Sequence, residues 1–295
     1  MPFLAPPALR SGDAVAIVAP AGPFDRESFD AGLAVLNARY APRFTDGLFS
    51  KHQYLAGDDA RRSAELNAAF TGEGIKAVFT ARGGYGAMRL LTTLTLGPPR
   101  VFAGFSDVTA IHGALQARGF RSFHAPVLTQ LGKQSPAVVD RFFAMLESPI
   151  PAASLQGQSV VAGLAEGPLV GGNLSVLTRL LGTPFMPPTK GAVLLLEDVG
   201  ERPYRLDRMW THLKLAGAFE GVAGIVLGDF TGCEEKDAAF GSVEVLTGLA
   251  RETGLPCARG FEIGHGATNL PVALGSKVRL DATTGRLDFL EGLVG

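Results

Sequence analysis

The sequence predicts an α/β protein in two parts. The first is an N-terminal doubly wound, flavodoxin-like domain with a parallel sheet. The second is a strand-rich, mixed α+β C-terminal domain. Three observations carry this reading. Short continuous apolar runs alternate with helical patterns through the first half, as buried parallel strands and their crossover helices do. The stretch Val101-Phe102-Ala103-Gly104-Phe105-Ser106-Asp107 reads as one such strand, ending in a polar tip before a helix. Near the C-terminus, Val278 and Leu280, a Thr284-Gly285 turn, then Leu287 and Phe289 alternate as a hairpin, so the second part mixes strands of both senses.

In chain order, Ala14-Val15-Ala16-Ile17-Val18-Ala19 is an apolar run stopped by Pro20-Ala21-Gly22-Pro23, a central strand and its exit loop. Asp25 reads as the N-cap of a helix carrying Phe29, Leu33 and Leu36, with Pro42 closing the region. Asp58-Asp59 open a second helix with Leu66, Ala69 and Phe70 inward. Ala77–Ala81 is the next strand; it runs into Arg82-Gly83-Gly84-Tyr85-Gly86 and a short helix with Met88, Leu90 and Leu91. After the strand at Val101–Phe105, Ser106 and Asp107 read as caps of the following helix. Ser122–Ala125, stopped by Pro126, is a further strand, and Ser135-Pro136 opens a closing helix over 137–146. The domain boundaries expected are 1–148 for the first domain, 149–163 for a linker and 164–295 for the second. In the second, Gly171-Gly172-Asn173-Leu174-Ser175 is a turn and helix start. Ala192–Asp198 is a strand ending in two acids. Leu206, Met209, Trp210 and Leu213 mark an amphipathic helix, and Gly224–Asp229 another strand.

Composition narrows the function. A chain of 295 residues allows one large or two medium domains, and 46% hydrophobic residues fill their cores. A formal net charge of -1 argues against nucleic acid or an anionic membrane as partner. The two cysteines, Cys233 and Cys257, give no disulfide framework and no C-x-x-C, and no metal-ligand spacing appears. The apolar N-terminal stretch from Met1 to Arg10 is broken by prolines and lacks a basic start, so it does not read as a signal peptide. No apolar run reaches the roughly 18 residues of a membrane helix. A soluble, cytoplasmic protein is the expectation.

Chemistry is expected at strand ends, where ligands of doubly wound sheets bind. Ser106 lies at such an end, at the start of a helix, where unpaired N–H groups suit a serine nucleophile; a plain cap is the bland alternative. The pattern departs from G-x-S-x-G, because Val108 stands where glycine would. The loop Arg82–Gly86 lacks the spacing of a dinucleotide fingerprint or a Walker loop, so it is a tight turn or an oxyanion site. Arg82 beside it suits a substrate carboxylate. Glu197 ends an apolar strand and suits the orientation of an imidazole, with Asp198 and Glu201 as competitors. Of five histidines, His52, His112 and His212 read as surface or packing residues. His124 ends a strand and is a cleft candidate. His265, in Gly264-His265-Gly266, has the free loop position that a base reaching across a cleft needs. Ser106 as nucleophile, His265 as base and Glu197 as orienter fit one scheme.

Five of these segments together resemble the LD-carboxypeptidases, the murein tetrapeptide carboxypeptidase family of serine peptidases. They are Gly104-Phe105-Ser106-Asp107, Arg82–Gly86, Gly171-Gly172-Asn173-Leu174, Leu196-Glu197-Asp198 and Gly264-His265-Gly266. The resemblance covers nearly the whole chain. It implies a Ser106–Glu197–His265 triad between two domains, and an oxyanion site at the N–H groups of Gly84 and Asp107. It also implies no cofactor or metal and a homodimer. The substrate it implies is a small murein tetrapeptide that loses its terminal D-alanine during cell-wall recycling in the cytoplasm. Arg82 and Asn173 are the candidates for substrate binding. A branch similar in fold that cleaves a peptidyl-nucleotide antibiotic is the alternative within the family; it calls for an aromatic surface, and Trp210 reads as core. Outside it stand a non-catalytic two-domain binding protein and a nucleotide-binding flavodoxin-like protein.

Overall fold

The computed structural model describes residues 3–235 and 240–295. Met1 and Pro2 of the N-terminal stretch lie outside them. The first sheet contains β1 (Ala14–Val18), β2 (Ala41–Arg43), β3 (Ala77–Thr80), β4 (Val101–Gly104) and β5 (Ser122–His124), parallel in the order β2-β1-β3-β4-β5. That order is the flavodoxin-like one, with a switch point between β1 and β3. Alternation along β1 sends its side chains to two cores. Val15 and Ile17 join one with Phe29 and Leu36 of α1 (Arg26–Asn37). Ala16 and Val18 join the other with Leu66 and Phe70 of α2 (Asp59–Thr71). Ile111 and Leu115 of α3 (Thr109–Ala117) belong to the second core. Leu128 and Leu131 of α4 (Leu128–Leu131) and Phe142 and Leu146 of α5 (Pro136–Glu147) belong to the first. Both faces of the sheet are therefore covered, which is why its strands read as unbroken apolar runs.

The second sheet has eight strands. They are β6 (Leu155–Gln156), β7 (Gln158–Val161), β8 (Leu164–Asn173), β9 (Val193–Val199), β10 (Gly224–Thr231), β11 (Cys257–Arg259), β13 (Lys277–Asp281) and β14 (Arg286–Phe289). Their order is β6-β14-β13-β8-β9-β10-β11-β7. The two edge strands, β6 and β7, are separated in sequence only by Gly157, so the sheet curls almost into a barrel. β8 to β11 run parallel and the rest antiparallel. The hairpin is as expected: Val278 pairs with Phe289 and Leu280 with Leu287. Packed on this sheet are α6 (Leu174–Thr178), α7 (Pro203–Leu215) and α8 (Ser242–Thr253); Leu206, Met209, Trp210 and Leu213 of α7 are buried.

Three findings differ from expectation. Residues 155–161, within the expected linker, form β6 and β7. The first sheet is not purely parallel: β12 (Val272–Leu274), from the C-terminal half, pairs antiparallel with β5. Leu293 and Val294 also pack into the first core. Short edge strands are defined by their partners rather than by local pattern, which hid them in the sequence. Lastly, Pro42, expected to close the region after the first helix, sits within β2, on the sheet edge where a missing N–H is tolerated.

Candidate active site

The site lies where β1, β3 and β4 end, against the ends of β9 and the loop after β11. Ser106 lies two residues past the end of β4 and is one of two non-glycine residues at positive φ among the described residues, at +67°. That sharp turn is the strained conformation that lifts a side chain off a sheet. Neither Ser106 nor Asp107 caps the next helix, contrary to expectation. The Asp107 carboxylate instead accepts the Ala87 N–H at 2.8 Å and so ties the Arg82–Gly86 loop to the nucleophile turn. Burial pushes the Asp107 carboxyl up, against the pull of that bond and of the Arg62 charge. Arg62, itself buried, donates to the carbonyls of Pro20 and Gly86 and pairs with Asp59, fixing the loop from behind.

These ties leave Gly83 packed on the nucleophile. A Cβ at Gly83 would lie 2.8 Å from Ser106 Oγ, so only glycine fits. Among the described residues, the N–H groups of Gly84 and Asp107 make no hydrogen bond within the protein.

The second half supplies the base. His265 Nδ1 meets Glu197 Oε2 at 2.6 Å. Glu197 lies two residues before the end of β9, is fully buried, and its Oε1 has no partner among the described residues. A Cβ on Gly264 would meet Glu197 Oε2 at 2.5 Å, so the glycine before the histidine is required by the carboxylate. Phe105 covers the imidazole face, with ring centroids 4.6 Å apart. Burial works against the imidazolium, but the Glu197 bond and the charges of Glu197, Asp198 and Asp229 outweigh it, so the His265 pKa lies above its ordinary value. With Nδ1 donating to Glu197, Nε2 is left as the basic nitrogen.

Ser106 and His265 line one cavity of about 680 Å³, together with Arg82, Gly83, Gly84 and Phe105. Among the described residues they make no hydrogen bond to each other; the His265 ring is bonded to Glu197 alone. Of the other expected site residues, Arg82 lines the cavity, with one guanidinium nitrogen on the Pro23 carbonyl. Asn173 does not. It is buried and caps α6, accepting from the Val176 N–H at 3.1 Å and donating to Asp198 Oδ1 at 3.0 Å. Its oxygen and one amide proton are engaged in structure, which speaks for a capping role rather than substrate binding. Asp198 is consumed in the same cap, accepting the Ser175 N–H at 2.8 Å, which leaves Glu197 as the acid facing the histidine. His124 is wholly buried behind Phe105 and off the cavity, correcting its reading as a cleft residue. His112 is structural as expected: its ring bridges Ser122 Oγ at 2.8 Å and the Gly104 carbonyl at 2.9 Å.

Sequence reasoning missed Lys51, Lys133 and Ser28, which also line the cavity, and it read Asp25 only as a cap. No local pattern separates two cavity lysines from surface ones. Asp229, beside Gly266 and half-buried, was likewise unmarked as a neighbour of the base.

A serine on a strained turn, an imidazole bound to a buried carboxylate and free N–H groups beside them form the constellation of a serine hydrolase. The particular lineage comes from comparison. Residues 15–125 match the LD-carboxypeptidase N-terminal domain and residues 166–280 the LD-carboxypeptidase C-terminal domain, so the chain belongs to the LD-carboxypeptidase family. It is 39% identical to a putative carboxypeptidase of Synechocystis sp. over 98% of both chains. It is 33% identical to the murein tetrapeptide carboxypeptidase of Pseudomonas aeruginosa, over 86% of this chain and 89% of that one. Among solved structures, muramoyltetrapeptide carboxypeptidase from Oxalobacter formigenes superposes with TM-score 0.83 at 29% identity, covering 94% of this chain and 98% of that one. The microcin C7 self-immunity protein has TM-score 0.86 at 22% identity, covering 99% of this chain and 100% of that one, a likeness of fold.

Proposed function

We propose that this protein is a serine carboxypeptidase that removes the terminal D-alanine from murein tetrapeptides, cutting the bond between an L-centre and a D-residue. The observation that carries the reading is the 2.6 Å His265–Glu197 bond on the wall of the cavity that holds the Ser106 turn. In this mechanism His265 Nε2 takes the Ser106 proton as Oγ attacks the scissile carbonyl. The Gly84 and Asp107 N–H groups receive the oxyanion. His265 then returns the proton to the leaving amine, and water resolves the acyl-enzyme by the reverse path. Glu197 holds the ring tautomer and balances the imidazolium. Arg82 takes the carboxylate of the leaving residue.

The relatives named above for murein peptides support this substrate class over a peptidyl nucleotide, since the self-immunity protein shares only the fold. Trp210, 1% exposed and packed on Phe219 at 4.9 Å, offers no surface for a base. The reading includes a homodimer and cytoplasmic recycling; the family resemblance alone supports both. Light scattering in solution and cell fractionation test them. The activity is tested by incubating the protein with a murein tetrapeptide and measuring free D-alanine. Wild type is expected to release it. Ser106→Ala, Glu197→Ala and His265→Ala are expected to lose most or all release, and full turnover by Ser106→Ala would end the proposal.

A further inference from the structure

The cavity carries more positive charge than a single terminal carboxylate needs. Lys51, Arg82 and Lys133 line it, and Asp25 is its one carboxylate. One Asp25 oxygen is committed as the α1 cap, accepting the Ser28 N–H at 2.7 Å. None of the three cations has an ion-pair partner among the described residues. A cavity with unpaired cations is built for a ligand with matching anions.

The three are not equivalent. Arg82 stands next to Gly83 and Gly84, beside the nucleophile, and its guanidinium reaches the Pro23 carbonyl. Lys51 makes no side-chain hydrogen bond among the described residues. Lys133 is held: its Nζ donates to Ser28 Oγ at 2.8 Å, a bond that links the loop after α4 to the first turn of α1. Ser28 is 8% exposed. That bond leaves two ammonium protons free, while the serine O–H is shared with the Asp25 carboxylate, which also feels the Lys133 charge; the ammonium is thus a preset donor group. A carboxylate completes it, because charge-assisted bonds are the strong ones and the long lysine side chain is already ordered.

We infer that Lys133, steadied by Ser28, is a specificity residue that binds a second substrate carboxylate, on the side chain of the residue donating the scissile carbonyl. The inference rests on the proposed carboxypeptidase reading. It favours a diaminopimelate side chain, which ends in both carboxylate and amine, over lysine, which ends in the amine alone. An amine by itself meets three cations on this wall and one carboxylate, Asp25, already engaged by Ser28.

The test uses three tetrapeptides that differ only at that residue: diaminopimelate, diaminopimelate with its side-chain carboxylate amidated, and lysine. Wild type is expected to prefer the first over the other two by roughly tenfold to a hundredfold in kcat/KM, the range of one hydrogen-bonded charge. Lys133→Met is expected to bring that preference within about threefold, through KM for the diaminopimelate peptide, and Lys133→Arg to retain most of it. Lys51→Met, which removes the same charge elsewhere on the wall, is expected to keep the preference. Equal loss of preference in Lys51→Met would show a diffuse field and overturn the assignment. So would an undiminished preference in Lys133→Met, or no preference in wild type. Hydrolysis of none of the three would instead end the carboxypeptidase reading itself.

Discussion

His265 is held between opposing effects, and their balance sets the pH dependence of any reaction here. Burial favours the neutral ring, while Glu197, Asp198 and Asp229 favour the charged one and prevail. A general base must be neutral, so kcat/KM is expected to rise with pH, with its inflection above the ordinary histidine value of 6.5. Asp229→Asn removes one of those charges and is expected to move the inflection down; an unmoved inflection would exclude Asp229 from the balance. The same residue bears on stability. Burial pushes the Asp229 carboxyl from 3.8 to about 6. Its folded pKa therefore lies above its unfolded one, and between the two values the folded state binds more protons. Stability then falls as pH rises through that window. Thermal unfolding should show Asp229→Asn more stable than wild type above the window and no more so below it; a wild type equal or better at neutral pH would contradict this. Gly83 is the other sensitive residue. Gly83→Ala pushes a methyl against Ser106 Oγ and is expected to cost about a hundredfold in kcat, the scale of a disturbed oxyanion site. Normal turnover by this variant would show that the loop is not packed on the nucleophile as described.

The end of β8 and α6 shows how an element can imitate a binding site in sequence. Gly171-Gly172-Asn173-Leu174 has the small and polar residues of a ligand loop. Its polar groups turn inward: the Asn173 N–H donates to Thr109 Oγ1 at 3.0 Å and the Gly171 N–H to Gln116 Oε1 at 3.3 Å. The motif joins the helix behind the nucleophile to the sheet that carries Glu197, and so sets the spacing of the two halves of the site. Asn173→Ala is expected to lower stability by about 1 kcal/mol through the lost cap, read as a denaturant midpoint, with KM little changed. A large rise in KM at unchanged stability would return the residue to the substrate. Long apolar strands and capped helices were legible in the sequence because their signal is local: β1, β3, β4, β9 and β10 are continuous buried runs, and Asp25 and Asp58 cap as read. Ser106, Glu197 and His265 stood out as one polar residue at the end of an apolar segment or between glycines. β6, β7 and β12 were not legible, because strands of two to four residues exist only through their neighbours. Lys133 and Asp229 were not legible, because only the fold turns one charge toward the cavity and sets the other beside the base.

At the scale of the molecule the two halves are interlocked rather than tethered. β12 completes the first sheet from the C-terminal side, and Leu293 and Val294 close the first core. One cooperative unit is the physical consequence. Ala273, 1% exposed, pairs with Phe123 in that crossing strand; Ala273→Pro forces a fixed ring into this buried pairing. It is expected to lower the single unfolding midpoint and to reduce D-alanine release together, and two separate transitions with only one displaced would contradict the interlock. The interlock matters because a hydroxyl from the first half has to work with an imidazole from the second. Groups that act as a unit lose their effect once, not twice. The most direct measurement is therefore a kinetic cycle of wild type, Ser106→Ala, His265→Ala and the double variant, read as D-alanine release from one tetrapeptide. The account predicts that the double variant is no slower than the slower single one; losses that multiply would mean the two residues act independently.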